Sequence, residues 1–335
     1  MHKMVNEKQR LKRPVVSVII PHFNRSILLK ETIASIQQQT FKDFEIVVVD
    51  DGSDESELAA IELFKQENIK IIERKEGEKG PSTCRNLGAN SARGKYLLFL
   101  DSDDLLAPIC LEQRISVMDD NPQVDMAIFL MENFAKVPGD TKTYFNINAP
   151  FEKLPGLFLQ NRNPWQTMAP IWQKDFFMKV GGFDESFLYM EDPDLHIRAL
   201  AYPDANIKTF YEMPADCYYR VNHIDDTKKT FWYNSIYYRI LFYKKLSETN
   251  STLLSTHSKD IRAGVHGLIR VFLYHRANEF PQLFQSLLQW MKASGIFSSF
   301  EIARIKYLTA TGNSSSSLLK ALHARGLCYR WLPAS

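Results

Sequence analysis

The stretch YLLFLDSDDLL, residues 96–106, decides the fold. Tyr96 to Leu100 are apolar without alternation, the pattern of a strand covered on both faces. Asp101, Asp103 and Asp104 follow at its carboxyl end. Carboxylates so close repel each other, and each favours a neighbouring cation. The stretch therefore predicts a buried strand ending in a turn that seeks positive charge. A bland alternative is a turn and helix cap before Leu105.

Working outward, similar apolar runs recur. VVSVIIP (15–21), FEIVVVDDGSDE (44–55) and IKIIER (69–74) read as strands. SILLKETIASIQQQT (26–40) has Leu29, Ile33 and Ile36 at helical spacing, with Ser26 as its expected cap. ESELAAIELFKQ (55–66) reads as a second helix. GPSTCRNLGANSARG (80–94) reads as a third, with Pro81 near its start and Gly94 near its end. Strands alternating with helices predict an α/β fold, a mostly parallel sheet with helices on both faces. In such sheets ligands bind outside the carboxyl ends of the strands. The polar clusters His22–Asn24, Asp50–Ser53 and Asp101–Asp104 fall at those ends.

Further along, DMAIFLME (125–132) reads as a strand, and residues 163–183 as containing a short helix ended by Gly181 and Gly182. EDPDLHIRALAY (191–202) reads as a helix with Asp192 as N-cap and Pro193 at its first position. Beyond Asp226 the pattern is helical. The expected organisation is an arm (1–13), a ligand-binding half (14–105), a second half (106–226) and a helical C-terminal extension (227–335).

The chain has 335 residues and a formal charge of +2. That total hides a division: residues 228–335 carry 15 Lys and Arg against 4 Asp and Glu, leaving 26 against 35 before them. An acidic body suits cations, and a basic tail suits an anionic surface. The four cysteines lack CxxC spacing, so neither a zinc site nor a disulfide framework is expected, and a reducing, cytoplasmic setting fits. No apolar run reaches membrane-spanning length, and MHKMVNEKQRLKR lacks the apolar core of a secretory signal. The tail segment 228–246 is aromatic with Lys at both ends. It suits a membrane interface on the cytoplasmic face, packing against the rest of the chain, or a homodimer contact. No nucleic-acid motif is present.

Three acidic groups at a sheet edge suit a hard divalent cation shared with substrate phosphates. GxGxxG after the first strand and GxxxxGK[ST] are both missing, which argues against a nicotinamide or P-loop enzyme. A DxD phosphohydrolase would carry its motif on the first strand, whereas this one lies on about the fourth.

VSVIIPHFNR, EIVVVDDGSDE, GPSTCRNLGAN, YLLFLDSDD and GGFDESFLYMEDPDLHIRA, in this order, resemble the family 2 glycosyltransferases of GT-A fold over residues 14–225. Cys84 departs from the Ala common before RN in that family. The resemblance implies a nucleotide-sugar donor, most often a uridine one, and a glycan or lipid-linked acceptor in surface polysaccharide synthesis. It implies that Pro21, His22, Phe23 and Asn24 line the base and ribose, that Asp51 with Asp50 contacts the base, and that Asp101 with Ser102 faces the ribose. Arg85 approaches the donor or forms a sheet-edge ion pair. Asp103 would hold Mn²⁺ or Mg²⁺, with Asp104 sharing that role or supporting it. His223 is either a further metal ligand or a surface residue. Asp192 would be the general base of an inverting transfer, or only a helix cap, with Glu191 orienting the acceptor or raising the pKa of Asp192. Trp165 and Trp172 are read as sugar-facing rings or as core. A non-catalytic sugar-nucleotide or glycan-binding scaffold on the same fold is the alternative from another class.

Overall fold

A computed structural model describes residues 13–221 and 228–312. The chain forms two compact units, each assembled from separate segments.

The first unit takes residues 13–147, 165–186 and 202–221. Its strands β1 (Val16–His22), β2 (Phe44–Asp50), β3 (Ile69–Glu73) and β4 (Tyr96–Phe99) alternate with helices α1 (Ser26–Gln37), α2 (Glu55–Glu62) and α3 (Pro81–Ser91). β1 pairs in parallel with both β2 and β4, and β2 with β3. Every residue of β4 is wholly buried, as its unbroken apolar run requires. Gly88 lets α3 lie close on the sheet, since a Cβ there would stand 2.5 Å from the Ile19 side chain. α1 begins at Ser26 without a side-chain cap; Ser26 instead donates its backbone N–H to Glu57 Oε2 at 2.8 Å, so the capping expectation gives way to a tie to α2.

The run 125–132 is not one strand. After β5 (Leu105–Leu106) and α4 (Cys110–Asp120), it divides into β6 (Met126–Ile128) and β7 (Met131–Phe134), which lie in different sheets. The seven-stranded sheet has the order β3-β2-β1-β4-β8-β6-β9, in which β8 (Pro170–Gln173) runs antiparallel to both neighbours and β9 (Ile207–Thr209) lies at the edge. Helix α6 (Lys174–Val180) leaves β8 directly and ends at Gly181, whose φ of 90° takes the left-handed cap. A small sheet, β5-β10-β7, is completed by β10 (Cys217–Arg220).

One buried ion pair ties α4 to the small sheet. Both Arg114 and Asp216 side chains are fully buried; Arg114 Nε and Nη2 donate to the two Asp216 oxygens at 2.8 and 2.6 Å, and Nη1 to Met168 O at 2.8 Å. Removing one partner strands a buried charge. Asp216→Ala should lower the unfolding free energy by about 3–5 kcal/mol, read as a lower urea midpoint with an unchanged slope. A shift of under about 1 kcal/mol would show that the Arg114 charge finds water instead.

The second unit takes residues 148–164, 187–201 and 228–312. It joins α5 (Leu154–Leu159) and α7 (Glu191–Leu200) to the helices α8 (Lys229–Thr249), α9 (Ser251–Thr256), α10 (Ser258–Leu268), α11 (Pro281–Ser294) and α12 (Ser299–Gly312). A cut near residue 226 is therefore not where this unit begins. The reason is packing. Phe158 of α5 meets His196 of α7 with ring centroids 5.5 Å apart, and Phe187 and Tyr189 both meet Tyr238 of α8. Asn161 donates to the Tyr243 hydroxyl at 2.6 Å, and that hydroxyl donates to Leu159 O at 2.8 Å. Gly264 of α10 allows this approach: a Cβ there would stand 2.1 Å from the Tyr243 hydroxyl. Much of the apolar content of α8 is spent within this unit, with Ile236, Ile240, Phe242 and Tyr243 buried and Tyr233 and Tyr237 exposed. Among the described residues no helix is long and apolar enough to cross a membrane.

Candidate active site

The carboxyl ends of β1, β2 and β4 carry the polar clusters expected there. After β1, Asn24 turns the chain with φ 49°, a conformation that Asn tolerates better than most residues. Its backbone N–H donates to Ser53 Oγ at 2.9 Å, and its side chain exchanges hydrogen bonds with Asp54 at 3.1 and 2.9 Å. The loops after β1 and β2 are thus fastened together. Pro21 is half-buried beside them, while Phe23 is exposed with Lys79 Nζ 3.5 Å above its ring centroid. His22 is buried, and burial is the largest influence lowering its pKa, opposed by Asp50 and Glu57 and assisted by Arg25. It is therefore held as a neutral imidazole at neutral pH.

Asp50 is committed to the loop itself. It accepts the backbone N–H groups of Gly52 and Ser53 at 3.0 and 2.9 Å and the Ser53 hydroxyl at 2.5 Å. Asp51 is held by Arg74, which follows β3 and also donates to Gly77 O at 3.1 Å. The hydrogen bond to Asp51 raises the Arg74 pKa above its ordinary value. The Cys84 thiol is pushed well up by burial, with Asp51 adding to it, so it is neutral packing against the loop rather than a nucleophile.

The three carboxylates after β4 meet arginines. Arg85 of α3 donates to Asp101 at 2.6 Å, and its guanidinium lies 5.2 Å from the Phe183 ring centroid. The sheet-edge ion pair offered as one reading of Arg85 is thus present, between a buried guanidinium and a half-buried carboxylate. Arg25 donates to Asp103 at 2.9 Å from a side chain that is 54% exposed. Asp104 is buried; it accepts the backbone N–H of Arg220 at 2.8 Å, while Arg220 Nε donates to Asp103 O at 2.7 Å. Burial first, then Asp101 and Asp103, raise the Asp104 pKa well above the ordinary carboxyl range. Through Oδ1, Asp104 thus fastens β10 to the turn. Ser102 is buried in the same turn.

The positive charge that YLLFLDSDD seeks is thus supplied by Arg25, Arg85 and Arg220. The sequence reading missed Arg25 and Arg220 in this role, and Arg74 beside Asp51. Arg25 precedes α1, Arg74 follows β3 and Arg220 ends β10, but nothing local in the sequence marks which carboxylate each faces. Among the described residues no group of three or more His, Cys, Asp and Glu is arranged to hold a metal ion. The donor set at the turn is Asp103 with Asp101 beside it, while burial first and then these two carboxylates raise the proton affinity of their neighbour Asp104. That chemistry fits a hard cation completed by substrate phosphates, not a cage built by the protein alone. His223 lies outside the described residues.

In the second unit, α7 starts at Glu191 with Met190 as N-cap at φ 71°. Asp192 is thus the second helical residue, not the cap, and Pro193 the third. The reason is the left-handed turn at Met190, which starts the helix two residues early. Glu191, Asp192 and Asp194 crowd the first turn, where the helix dipole favours negative charge. Asp194 is paired with Arg198 at 2.6 Å. Asp192 and Glu191 are half-buried.

Trp165 and Trp172 are not open to a sugar ring. Both are wholly buried in the first unit, and Trp172 stacks on Phe176 at 6.0 Å and meets Phe177 edge-on at 5.8 Å. Their place is the core, because β8 inserts Trp172 into the sheet.

The family model described as glycosyl transferase family 2 matches residues 17–185. An uncharacterised glycosyltransferase of Haemophilus influenzae is 29% identical over 193 residues, 56% of this chain and 63% of that protein. The Campylobacter jejuni GalNAc(5)-diNAcBac-PP-undecaprenol beta-1,3-glucosyltransferase is 40% identical over 95 residues, 28% of this chain and 31% of that protein. The chain thus spans less than two thirds of the length of these relatives. Among solved structures, S. aureus TarS 1–349 in complex with UDP-GlcNAc superposes with a TM-score of 0.62 at 19% identity, covering 89% of this chain and 90% of that one. The mannosyltransferase PcManGT from Pyrobaculum calidifontis, in complex with GDP-Man and Mn²⁺, gives 0.53 at 16% identity, covering 97% and 86%. These likenesses show the GT-A fold.

Proposed function

The chain belongs to glycosyl transferase family 2, and on that premise we propose that it moves a sugar from a nucleotide-sugar donor to an acceptor hydroxyl with inversion at the anomeric carbon. The observation that carries this reading is the gathering of Asn24, Asp51 and Asp101–Asp104 at one sheet edge, braced by Arg25, Arg74 and Arg85.

Asp51, held by Arg74, accepts hydrogen bonds from the base, and Asp101, oriented by Arg85, from the ribose. Asp103 and Asp101 would hold a divalent cation, Mn²⁺ or Mg²⁺, which when bound supplies positive charge to the leaving diphosphate. Arg25 is mostly exposed and able to swing from Asp103 toward the donor phosphates. The acceptor oxygen bonds to the anomeric carbon as the bond from that carbon to the diphosphate oxygen breaks, and the electron pair leaves with the diphosphate. Asp192 takes the hydroxyl proton. The name of the C. jejuni relative supports a lipid-linked glycan as acceptor, and TarS supports UDP-GlcNAc as one donor to try. Building a surface polysaccharide at the cytoplasmic face of the membrane is consistent with both.

Thermal denaturation of the full chain with a panel of nucleotide sugars, with and without Mn²⁺, tests the reading. A donor present at about 100 times its Kd should stabilise the fold by about 2.7 kcal/mol, and chelator should remove most of that gain. If no nucleotide sugar raises the midpoint, with or without Mn²⁺, the donor reading fails. Phosphate release without any transfer would indicate a phosphohydrolase instead.

A further inference from the structure

The helical unit contains a cavity of about 330 Å³ whose charge is one-sided. Arg162, Arg239 and Arg270 line it, and no Asp or Glu does. Arg239 lies on α8 with its side chain largely inside the unit. Its hydrogen bond goes from Nη1 to Ser235 O at 2.8 Å, and its guanidinium rests 4.4 Å from the Phe272 ring centroid. No carboxylate pairs with Arg239 or Arg162 among the described residues. Burial pulls the Arg239 pKa below the ordinary guanidinium value, and the Tyr243 hydroxyl only partly offsets this. A guanidinium stays charged even so, and it carries five N–H donors. Asp260, which meets the lining residue Gln160 at 2.8 Å, is also engaged by His257 at 3.0 Å.

Arg239 and Arg270 are half-buried and Arg162 is exposed; a half-buried positive charge such as Arg239, with no carboxylate paired to it, is costly, and proteins rarely keep one for stability alone. Gly267 of α10 lines the cavity, and a Cβ built on it would meet nothing within 4 Å. The volume is at the low end of ligand cavities, large enough for a phosphorylated group and small for a whole nucleotide sugar. Guanidinium forks match phosphate oxygens two at a time, and three of them balance a multiply charged anion better than a single carboxylate.

We propose that this cavity is an anion site that takes a phosphate or diphosphate group through Arg162, Arg239 and Arg270. It lies wholly within the helical unit and shares no residue with the donor cluster. The chemistry is the same whether the phosphate is free or carried on a lipid, so the test has two arms.

The first arm is calorimetric titration of the full chain with inorganic pyrophosphate in chelator, which keeps metal-dependent donor binding silent. The second is co-sedimentation with phosphatidylcholine vesicles with and without phosphatidic acid. Two variants accompany the wild type. Arg239→Gln should weaken binding by about 10- to 100-fold. It should leave the ligand-free melting temperature unchanged or higher, because an uncompensated charge is removed; a purely structural arginine would lower it. Gly267→Leu fills the space while keeping every charge, so its effect separates the cavity from general attraction to a basic tail. Wild-type binding to pyrophosphate that both variants lose supports a free-phosphate ligand. Binding only to phosphatidic acid vesicles, lost in both, supports a lipid-borne one. If neither probe binds, or if both variants bind as the wild type does, the proposal is overturned.

Discussion

Asp192→Asn should lower the rate of sugar transfer by about 10²–10⁴-fold, the usual worth of a general base, while leaving donor affinity within a factor of about two of the wild type. The structure sharpens this expectation. Asp192 is not the cap of α7, so Asn is not called on to replace a capping oxygen. What is lost is one of three negative charges in the first turn, a dipole effect of about 0.3–1 kcal/mol. Any larger fall in activity must then come from chemistry. Glu191 stands next to it and keeps its own charge, so the variant also shows whether the neighbouring carboxylate can substitute. Transfer at the wild-type rate would remove Asp192 from the mechanism, and a product that retains the donor's anomeric configuration would remove the single displacement. Calorimetry with the donor identified by thermal denaturation, paired with a transfer assay, reads both halves.

Asp103→Ala should suppress turnover by about 10³-fold or more, since electrostatic help to a leaving diphosphate is worth several kcal/mol. Unlike the Asp192 variant, it should also abolish the Mn²⁺-dependent part of donor binding. The partner it leaves behind, Arg25, is more than half exposed, so water takes over and the fold is unaffected. This distinguishes Asp103 from Asp104, whose carboxyl is buried and tied to the Arg220 backbone. Asp104→Ala would confuse loss of structure with loss of chemistry. Undiminished activity of the wild type in excess chelator would overturn the metal assignment.

The parallel half of the sheet was legible because each strand is a mostly apolar run closed by polar residues and the helices between them have their own period. The polar cluster at the strand ends was legible for the same reason, since the topology of such a sheet delivers strand ends to one edge. β8 was not. Its four residues run into α6 without a turn residue, so PIWQKDFF reads as one amphipathic stretch. The break at Phe129–Leu130 was hidden because apolar residues continue through it while the chain changes sheet. Arg25, Arg74 and Arg220 escaped because an ion pair between residues far apart in sequence leaves no periodic trace. Burial of Trp165 and Trp172 depends on which strand lies beside them, and that is tertiary information.

The segment bearing Asp192 packs with helices that come later in the chain. As the polypeptide emerges from the ribosome, β1 to β4 can pair with neighbours already made. α5 and α7 have only each other at that stage; the other partners of their segments, Tyr238 and Tyr243 on α8 and Gly264 on α10, are translated later. Nascent chains arrested before residue 228 should therefore hold a protease-resistant sheet beside easily cleaved stretches at 148–164 and 187–201. The order of synthesis would thus withhold the proposed base from a half-made protein able to hold its donor, and the last helices to appear would act as the licence for transfer.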